Sequence, residues 1–499
     1  MIFDYFKELI LNNFGHNPTT QQQEVIEALT DFILSVDKGS SGQINGKVFI
    51  LRGYAGTGKT SLISALVRTM EQLERRCVLM APTGRAAKVL SLYSDHEAFT
   101  IHKRIYRQRS IDDDTIFSMG YNTMKNALFI VDEASMISND TNLSQFSTQN
   151  NQLSTVNYQL STLLDDLIQF VYSGEGCRLI LLGDTAQLPP VGEAKSPALQ
   201  PEVLMGYGLD VTCKTLSQVV RQRDLSGILQ NATNLRSIIS QGGQGSGFKV
   251  QWEKDVQNVP GNELIETLSN CYHNYGKDDT IVVCRSNKRA HVYNMGIRNQ
   301  ILDREEELAS GDIIMIVKNN YFWMKADSSN EILPHSGELE GARSSFLANG
   351  DIAQVLRVRN ERELYGFRFA DCELRFPDYD NMELTATVLL DTLHTEAPAL
   401  PHEMSEQLWN RVLEDYADIP YKKDRMKKMK EDPYVNALQI KYAYAVTCHK
   451  AQGGQWSQVF IDQGYITEEM MGLDYYRWLY TAFTRATDNI YLVNWQQDE

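Results

Sequence analysis

The 499-residue sequence contains no CxxC pair: its seven cysteines, Cys77, Cys177, Cys213, Cys271, Cys284, Cys372 and Cys448, are scattered, several inside apolar strand-like runs. That usage argues against a zinc site and for a reducing, cytoplasmic setting. Long hydrophobic runs are also missing. VFIL around Phe49 and RLILLG around Leu181 are among the longest, far short of the roughly 18 to 20 residues that a membrane span needs. The N-terminal stretch MIFDYFKELILNNFG is amphipathic, carries Asp4 and Glu8, and is unlike a signal peptide. Nor is there an excess of positive charge. The 48 Lys and Arg face 64 Asp and Glu, a net charge of −16, which alone counts against a nucleic-acid partner. Phosphate binding responds to potential within about 10 Å, however, so charge has to be read segment by segment.

What is present is an ordinary globular composition, 42% hydrophobic and 22% charged, in a chain long enough for more than one core. The runs KVFILR, RCVLMA, ALFIVDE and CRLILLGD in the first half, and TIVVCR, AYAVTCH, VFID and NIYLVN in the second, are continuously apolar and alternate with helical periodicity. Strands of that kind are covered on both faces, which predicts two parallel α/β sheets. Between residues 310 and 439 the pattern turns to short alternating strands such as GDIIMIV and NGDIAQVLRV, which predicts a small inserted β-barrel. Residues 138–159 are dominated by Asn, Gln, Ser and Thr and read as an insertion without a catalytic role. The run KKDRMKKMK, at residues 422–430, reads as a solvated helix face, with a nucleic-acid contact as the alternative.

One motif carries chemistry by itself. Gly53-Tyr-Ala55-Gly56-Thr57-Gly58-Lys59-Thr60-Ser61 fits GxxxxGK[ST], directly after a predicted strand and before a predicted helix. The glycines let backbone N–H groups wrap phosphates at a helix N-terminus. Lys59 then reaches the β- and γ-phosphates of ATP, and Thr60 offers a hydroxyl to Mg²⁺. LFIVDEAS supplies Asp132 for the metal shell and Glu133 to orient an attacking water. Gln22, in PTTQQQEVI, offers an amide that can read an adenine edge.

The ordered set GYAGTGKT, APTGRAAKVL, TIHK, VDEAS, LLGDTAQLPPVG, VVRQ, AVTCHKAQGGQW and YTAFTRA resembles the superfamily 1 helicases of the RecD-like and Dda-like branch. The likeness runs from about residue 22 to residue 493. It implies two RecA-like domains that use ATP and Mg²⁺, move 5′ to 3′ on single-stranded DNA and open forked duplexes. It further implies a γ-phosphate sensor at Gln187, arginine fingers at Arg221 and Arg485, and a nucleotide contact at Gly453. Contacts to DNA fall on Pro82, Thr83, Arg85, His102, Thr447, His449 and Lys450. Residues 82–109 hold six Lys or Arg against two acids, the local positive balance that the whole chain lacks. For His102 and His449 a role as core histidines stays open.

The expected division is residues 1–210 for the first domain, with a strand-separating β-hairpin at about 104–125. Residues 211–310 and 440–499 form the second domain, and 311–439 an inserted SH3-like barrel. Tyr106, Phe117 and Tyr121 are the hairpin's aromatics, suited either to stacking on a base pair or to packing its base. Two features depart from the family pattern: Gln455 stands where an acidic residue is usual, and the polar insertion is long. Because the chain starts close to Gln22, the expectation is a compact, free-standing helicase. Rival readings are a motor subunit of an exonuclease complex, an ATP-switched clamp that does not translocate, and an RNA remodeller.

Overall fold

The computed structural model describes residues 2–35, 46–108, 117–139, 161–219, 226–243, 247–324 and 347–495. Arg221, the tip of the expected hairpin and nearly all of the polar insertion lie outside the described residues. The chain divides into two compact units. One comprises Met1–Gln251, Gln452–Gly454 and Glu469–Thr484; the other comprises Trp252–Ala451, Gln455–Glu468 and Arg485–Glu499.

The first unit is built on a six-stranded sheet in which Lys47–Gly53 lies between Arg178–Gly183 and Asp210–Leu216, all parallel. Leu128–Val131 joins the far side of Arg178–Gly183, followed by Cys77–Ala81 and Ala98–Thr100. Period-two alternation sends the apolar side chains of each central strand to both faces. Val48, Ile50, Phe129, Val131, Leu179 and Leu181 enter one core with the helix Leu163–Ser173. Phe49, Leu51, Leu128, Ile130, Ile180 and Leu182 enter the other, against Ile2–Phe14, Thr20–Leu34 and Lys59–Gln72. This double burial is why the strands read as unbroken apolar runs. The helix Leu473–Phe483 packs on Gly227–Ser240 within the same unit.

The second unit has a five-stranded parallel sheet in the order Ala445–Thr447, Thr280–Cys284, Trp456–Asp462, Ala486–Val493, Val256–Val259. The strands Ile313–Ile316, Ile352–Leu364, Phe367–Phe376, Met382–Leu389 and Leu438–Tyr442 close a barrel. Its long hairpin turns on Tyr365 and Gly366, both with positive φ, as a two-residue turn matched to strand twist requires. The barrel is tied to the helix Asn287–Gln300 by a fully buried ion pair, Arg298 to Asp312 at 3.0 Å. The Tyr444 hydroxyl donates to the same carboxylate at 2.9 Å. The basic run forms the helix Lys422–Lys430, which buries only Met429.

Candidate nucleotide and nucleic-acid sites

The 53–60 loop joins the strand Lys47–Gly53 to the helix Lys59–Gln72, as the motif predicted. Gly58 holds the left-handed conformation at the helix start, φ +84°, and a Cβ there would stand 2.7 Å from the Gln22 amide nitrogen. Gly53 has no more room, since a Cβ would meet Lys59 Cγ at 2.8 Å. At Gly58 the left-handed backbone favours glycine, and at Gly53 a Cβ would displace the Lys59 side chain. The Lys59 ammonium donates to the carbonyls of Gly53 and, at 3.1 Å, Tyr54, so it rests against the loop that it serves.

Asp132 follows the strand Leu128–Val131, and its Oδ1 accepts the Glu133 N–H at 2.8 Å. Burial raises its pKa, while that N–H bond and the positive charge of Lys59 pull the other way. The lysine and the carboxylate therefore share one electrostatic site. Glu133 takes a left-handed backbone, φ +51°, uncommon for a residue with a Cβ and a frequent mark of functional positions.

Gln22 is buried and its amide is engaged inside the protein. Its Oε1 closes a capping box by accepting the Thr19 N–H at 2.9 Å, and its Nε2 donates to the Thr57 carbonyl at 3.1 Å. In this structure the residue braces the phosphate loop from below.

Sequence reasoning missed Tyr480 and Asp184. Both are about 1% exposed. The Tyr480 hydroxyl donates to Asp184 Oδ2 at 2.6 Å and accepts the Ala55 N–H of the phosphate loop at 3.1 Å. Asp184 Oδ1 accepts the Ala186 N–H at 2.9 Å. Burial and the neighbouring carboxylate push the Tyr480 phenol well above its ordinary pKa, so it stays a donor. The next residue, Thr481, accepts the Leu188 N–H at 2.9 Å. The GD and YT pairs inside GDTAQLPP and YTAFTRA were the available signal, but neither names the other as partner.

Gln187 is buried on the loop after Asp184, and its Oε1 has no hydrogen-bond partner. It lines a cavity together with Arg52, Thr185 and Arg477. Gly453 lies against the APTGR turn, where a Cβ would sit 2.7 Å from Ala86 Cβ and 3.3 Å from Thr83 Oγ1.

For nucleic acid, Thr83 caps the helix Gly84–Ser94 by accepting the Ala86 N–H at 3.2 Å, with Pro82 just before it and Arg85 in the first turn. His102 lies on the short helix Ile101–Ile105 with its ring 5.5 Å from that of Tyr106. Burial lowers its pKa to about 4, which makes it a neutral imidazole. Its neighbours Lys103 and Arg104 lie over the Phe99 ring at 5.1 and 5.6 Å. Tyr106–Gln108 pairs antiparallel with Phe117–Met119, which is the base of the expected hairpin. Tyr106 is buried and donates to Asp166 at 2.6 Å, whereas Tyr121 is 83% exposed. One ring packs the base and the other is open to solvent.

In the second unit, Thr447 ends a strand and His449 and Lys450 lie on the helix Cys448–Ala451. Thr447 and Lys450 share a small cavity with Asn287, His291, Asn294 and Lys441. Burial lowers the His449 pKa and lowers Lys441 to about 8. Burial together with the charge of Lys441 brings Lys450 to about 8 as well. Arg485 is buried close to Cys448, whose thiol burial raises to about 12 against the pull of the arginine.

Two family models match the chain: an AAA domain over residues 38–193 and a UvrD-like helicase C-terminal domain over residues 442–493. An uncharacterized protein of Acanthamoeba polyphaga mimivirus is 22% identical, over 94% of this chain and 98% of its own. The ATP-dependent RecD2 DNA helicase of Deinococcus radiodurans is 23% identical over 89% of this chain, which spans about half (46%) of that relative. Among solved structures, a Pif1 helicase from Bacteroides in complex with ADP-AlF3 and single-stranded DNA is 14% identical, covering 96% of this chain and 92% of its own, with a TM-score of 0.44.

Proposed function

We propose that this chain is a superfamily 1 helicase of the RecD-like kind, which hydrolyses ATP at the 53–60 loop and couples it to 5′ to 3′ movement along single-stranded DNA and to opening of forked duplexes. The observation that carries the reading is that the phosphate loop brings the charge of Lys59, at the helix start, to Asp132, which follows a strand of the same parallel sheet and is bonded to the Glu133 N–H. Lys59 neutralises phosphate charge; Glu133 orients or deprotonates the attacking water. Thr60 and Asp132 would hold Mg²⁺ through hard oxygen atoms, and the ion would supply charge neutralisation at the phosphate oxygens. The buried Arg485 and the arginine at 221 are assigned as fingers that stabilise charge developing during hydrolysis.

Strand contact is assigned to Pro82, Thr83, Arg85 and His102 in one unit and to Thr447, His449 and Lys450 in the other. Lysine and arginine supply the sequence-independent attraction to phosphate. The neutral imidazoles supply stacking and neutral hydrogen bonds. The motor-subunit reading has no separate observation in its favour.

The test is ATP turnover measured without nucleic acid and with single-stranded DNA, RNA or duplex, followed by unwinding of forks carrying a 5′ or a 3′ loading tail. DNA-stimulated turnover and unwinding from the 5′ tail are expected; unwinding from the 3′ tail alone overturns the direction. Lys59→Ala should lower turnover by about 100-fold or more. Glu133→Gln should bind ATP normally yet turn over at least about 100-fold more slowly, and wild-type turnover by that variant removes Glu133 from the mechanism.

A further inference from the structure

The polar cavity that Gln187 lines, of about 180 Å³, has walls that include Arg52, Thr185, Lys195, Ser196 and Arg477. Three of these are cations, and among the described residues no acidic side chain lines it. Arg52 is the strand residue just before Gly53. Its Nε and Nη2 both donate to the Leu199 carbonyl, at 3.0 and 2.5 Å, which leaves Nη1 uncommitted. Arg477 donates through Nη1 to the Ala194 carbonyl at 2.9 Å, while its buried Nε has no partner. The Asp474 carboxylate is 3.8 Å from its Nη1 and 91% exposed. Gln187, 94% buried by its 6% exposure, likewise has a partnerless Oε1. Lys195 is exposed at the cavity's edge.

Orphaned buried polar atoms are rare in folded proteins because each forfeits the hydrogen bonds it had in water. The orphaned Arg477 Nε–H, beside Arg52 and Lys195, is a donor that a multivalent anionic acceptor would satisfy, whereas the orphaned Gln187 Oε1 calls for a donor. The cavity has room for several waters, or for an anion with a few waters, and its three cations favour the anion. The two ends of the Gln187 amide exchange by a half-turn of its terminal torsion, so it can present N–H to such a ligand.

We propose that this cavity is a second phosphate subsite, separate from the phosphate loop, in which Arg52, Lys195 and Arg477 hold one tetrahedral phosphate group with the Thr185 hydroxyl and the Gln187 amide as neutral partners. Two sources carry that chemistry: orthophosphate released after ATP cleavage, and a phosphodiester of the bound strand. The inference rests on the nucleotide-site reading, because Gln187 belongs to both.

The full chain is first titrated with a non-hydrolysable ATP analogue, which tests the nucleotide reading separately. The saturated protein is then titrated with inorganic phosphate by calorimetry. One phosphate per chain is expected, bound at least about fivefold more weakly by Lys195→Met and about tenfold or more by Arg477→Met, the scale of losing one charge-assisted bond. Because Arg477 also supports Ala194, the exposed Lys195 keeps the test decisive if the arginine variant fails to fold. Displacement of the phosphate by an oligodeoxynucleotide, with a salt slope for strand binding lower by about one in Lys195→Met, assigns the subsite to the strand. Phosphate that stays bound beside the oligonucleotide assigns it to the released product. A slope change without phosphate heat also supports the strand. Equal phosphate affinity in wild type and variants overturns the subsite, as does no phosphate heat together with an unchanged salt slope.

Discussion

At the scale of single residues, the phosphate loop depends on a hydroxyl more than 400 positions away in the chain. Tyr480 lies between the Ala55 amide and the Asp184 carboxylate, both within hydrogen-bond distance. Replacing it with phenylalanine keeps the packing and removes one partner from a loop amide and one from a buried carboxylate. Each such loss costs about 1–3 kcal/mol. Tyr480→Phe should therefore lower Tm and raise KM for ATP several-fold, with a smaller effect on strand binding measured without nucleotide. Steady-state kinetics and thermal unfolding check this together, and wild-type KM and Tm would show that the hydroxyl contributes nothing.

At the scale of elements, two short segments carry titrations near neutral pH. The helix Cys448–Ala451 presents Lys450 beside Lys441, each with a pKa of about 8. His291, on the same cavity, is held below its ordinary value by burial and by Lys441, so it contributes no charge above neutrality. A bound phosphate favours the charged lysines, so binding takes up protons once the pH exceeds about 8. Affinity for a single strand should fall between pH 7 and 9.5, with a limiting slope of roughly tenfold per unit for each lysine. Fluorescence anisotropy at constant ionic strength measures it. Lys450→Arg should flatten the profile, because a guanidinium stays charged.

Asp351, at the start of a barrel strand, accepts the Ala348 N–H and the Tyr379 hydroxyl on Oδ2, each at 2.7 Å, while Oδ1 has no partner. Burial raises its pKa from 3.8 to about 7. The folded state thus keeps a proton that the unfolded chain releases. Its contribution to stability is complete below about pH 4 and is lost as the pH rises through about 7. Asp351→Asn should raise Tm more at pH 8 than at pH 5. Equal changes at the two pH values would show that the carboxyl does not titrate in this range.

At the scale of the whole molecule, strand separation and movement draw on different parts of the chain. The ribbon of Tyr106–Gln108 and Phe117–Met119 is anchored by buried Tyr106 and by Met119 packed on the core. Removing residues 109–116 and closing the ribbon with a two-residue turn should leave that anchor and both sheets intact. Stimulated ATP turnover and movement along single strands should survive, while unwinding of a fork falls by about tenfold or more, since a wedge contributes only where strands part. Normal unwinding by the shortened protein would remove the hairpin from the mechanism. Lys103 and Arg104, stacked over Phe99 at the foot of this ribbon, place positive charge locally on a chain whose net charge is −16.

Features set by neighbouring residues were legible without the structure. In the turn from Gly53 to Lys59, Gly53 is crowded by Lys59 and Thr57 a few positions away and Gly58 holds a left-handed backbone, and the central strands read as apolar runs because both their faces are covered. The carboxylates at 132 and 133 followed from the end of such a strand. Tertiary structure decided whatever depends on distant segments meeting. The Tyr480 hydroxyl finds Asp184 only because the helix Leu473–Phe483 packs into the first unit. Arg52, Lys195 and Arg477 share a cavity although they are unrelated by any spacing. The Gln22 amide, expected to read an adenine edge, is held by Thr19 and Thr57 once the helix Thr20–Leu34 docks. The neutral state of His102 and the depressed lysines 441 and 450 likewise follow from burial, since desolvation acts through surrounding atoms of every segment and leaves no mark on local sequence.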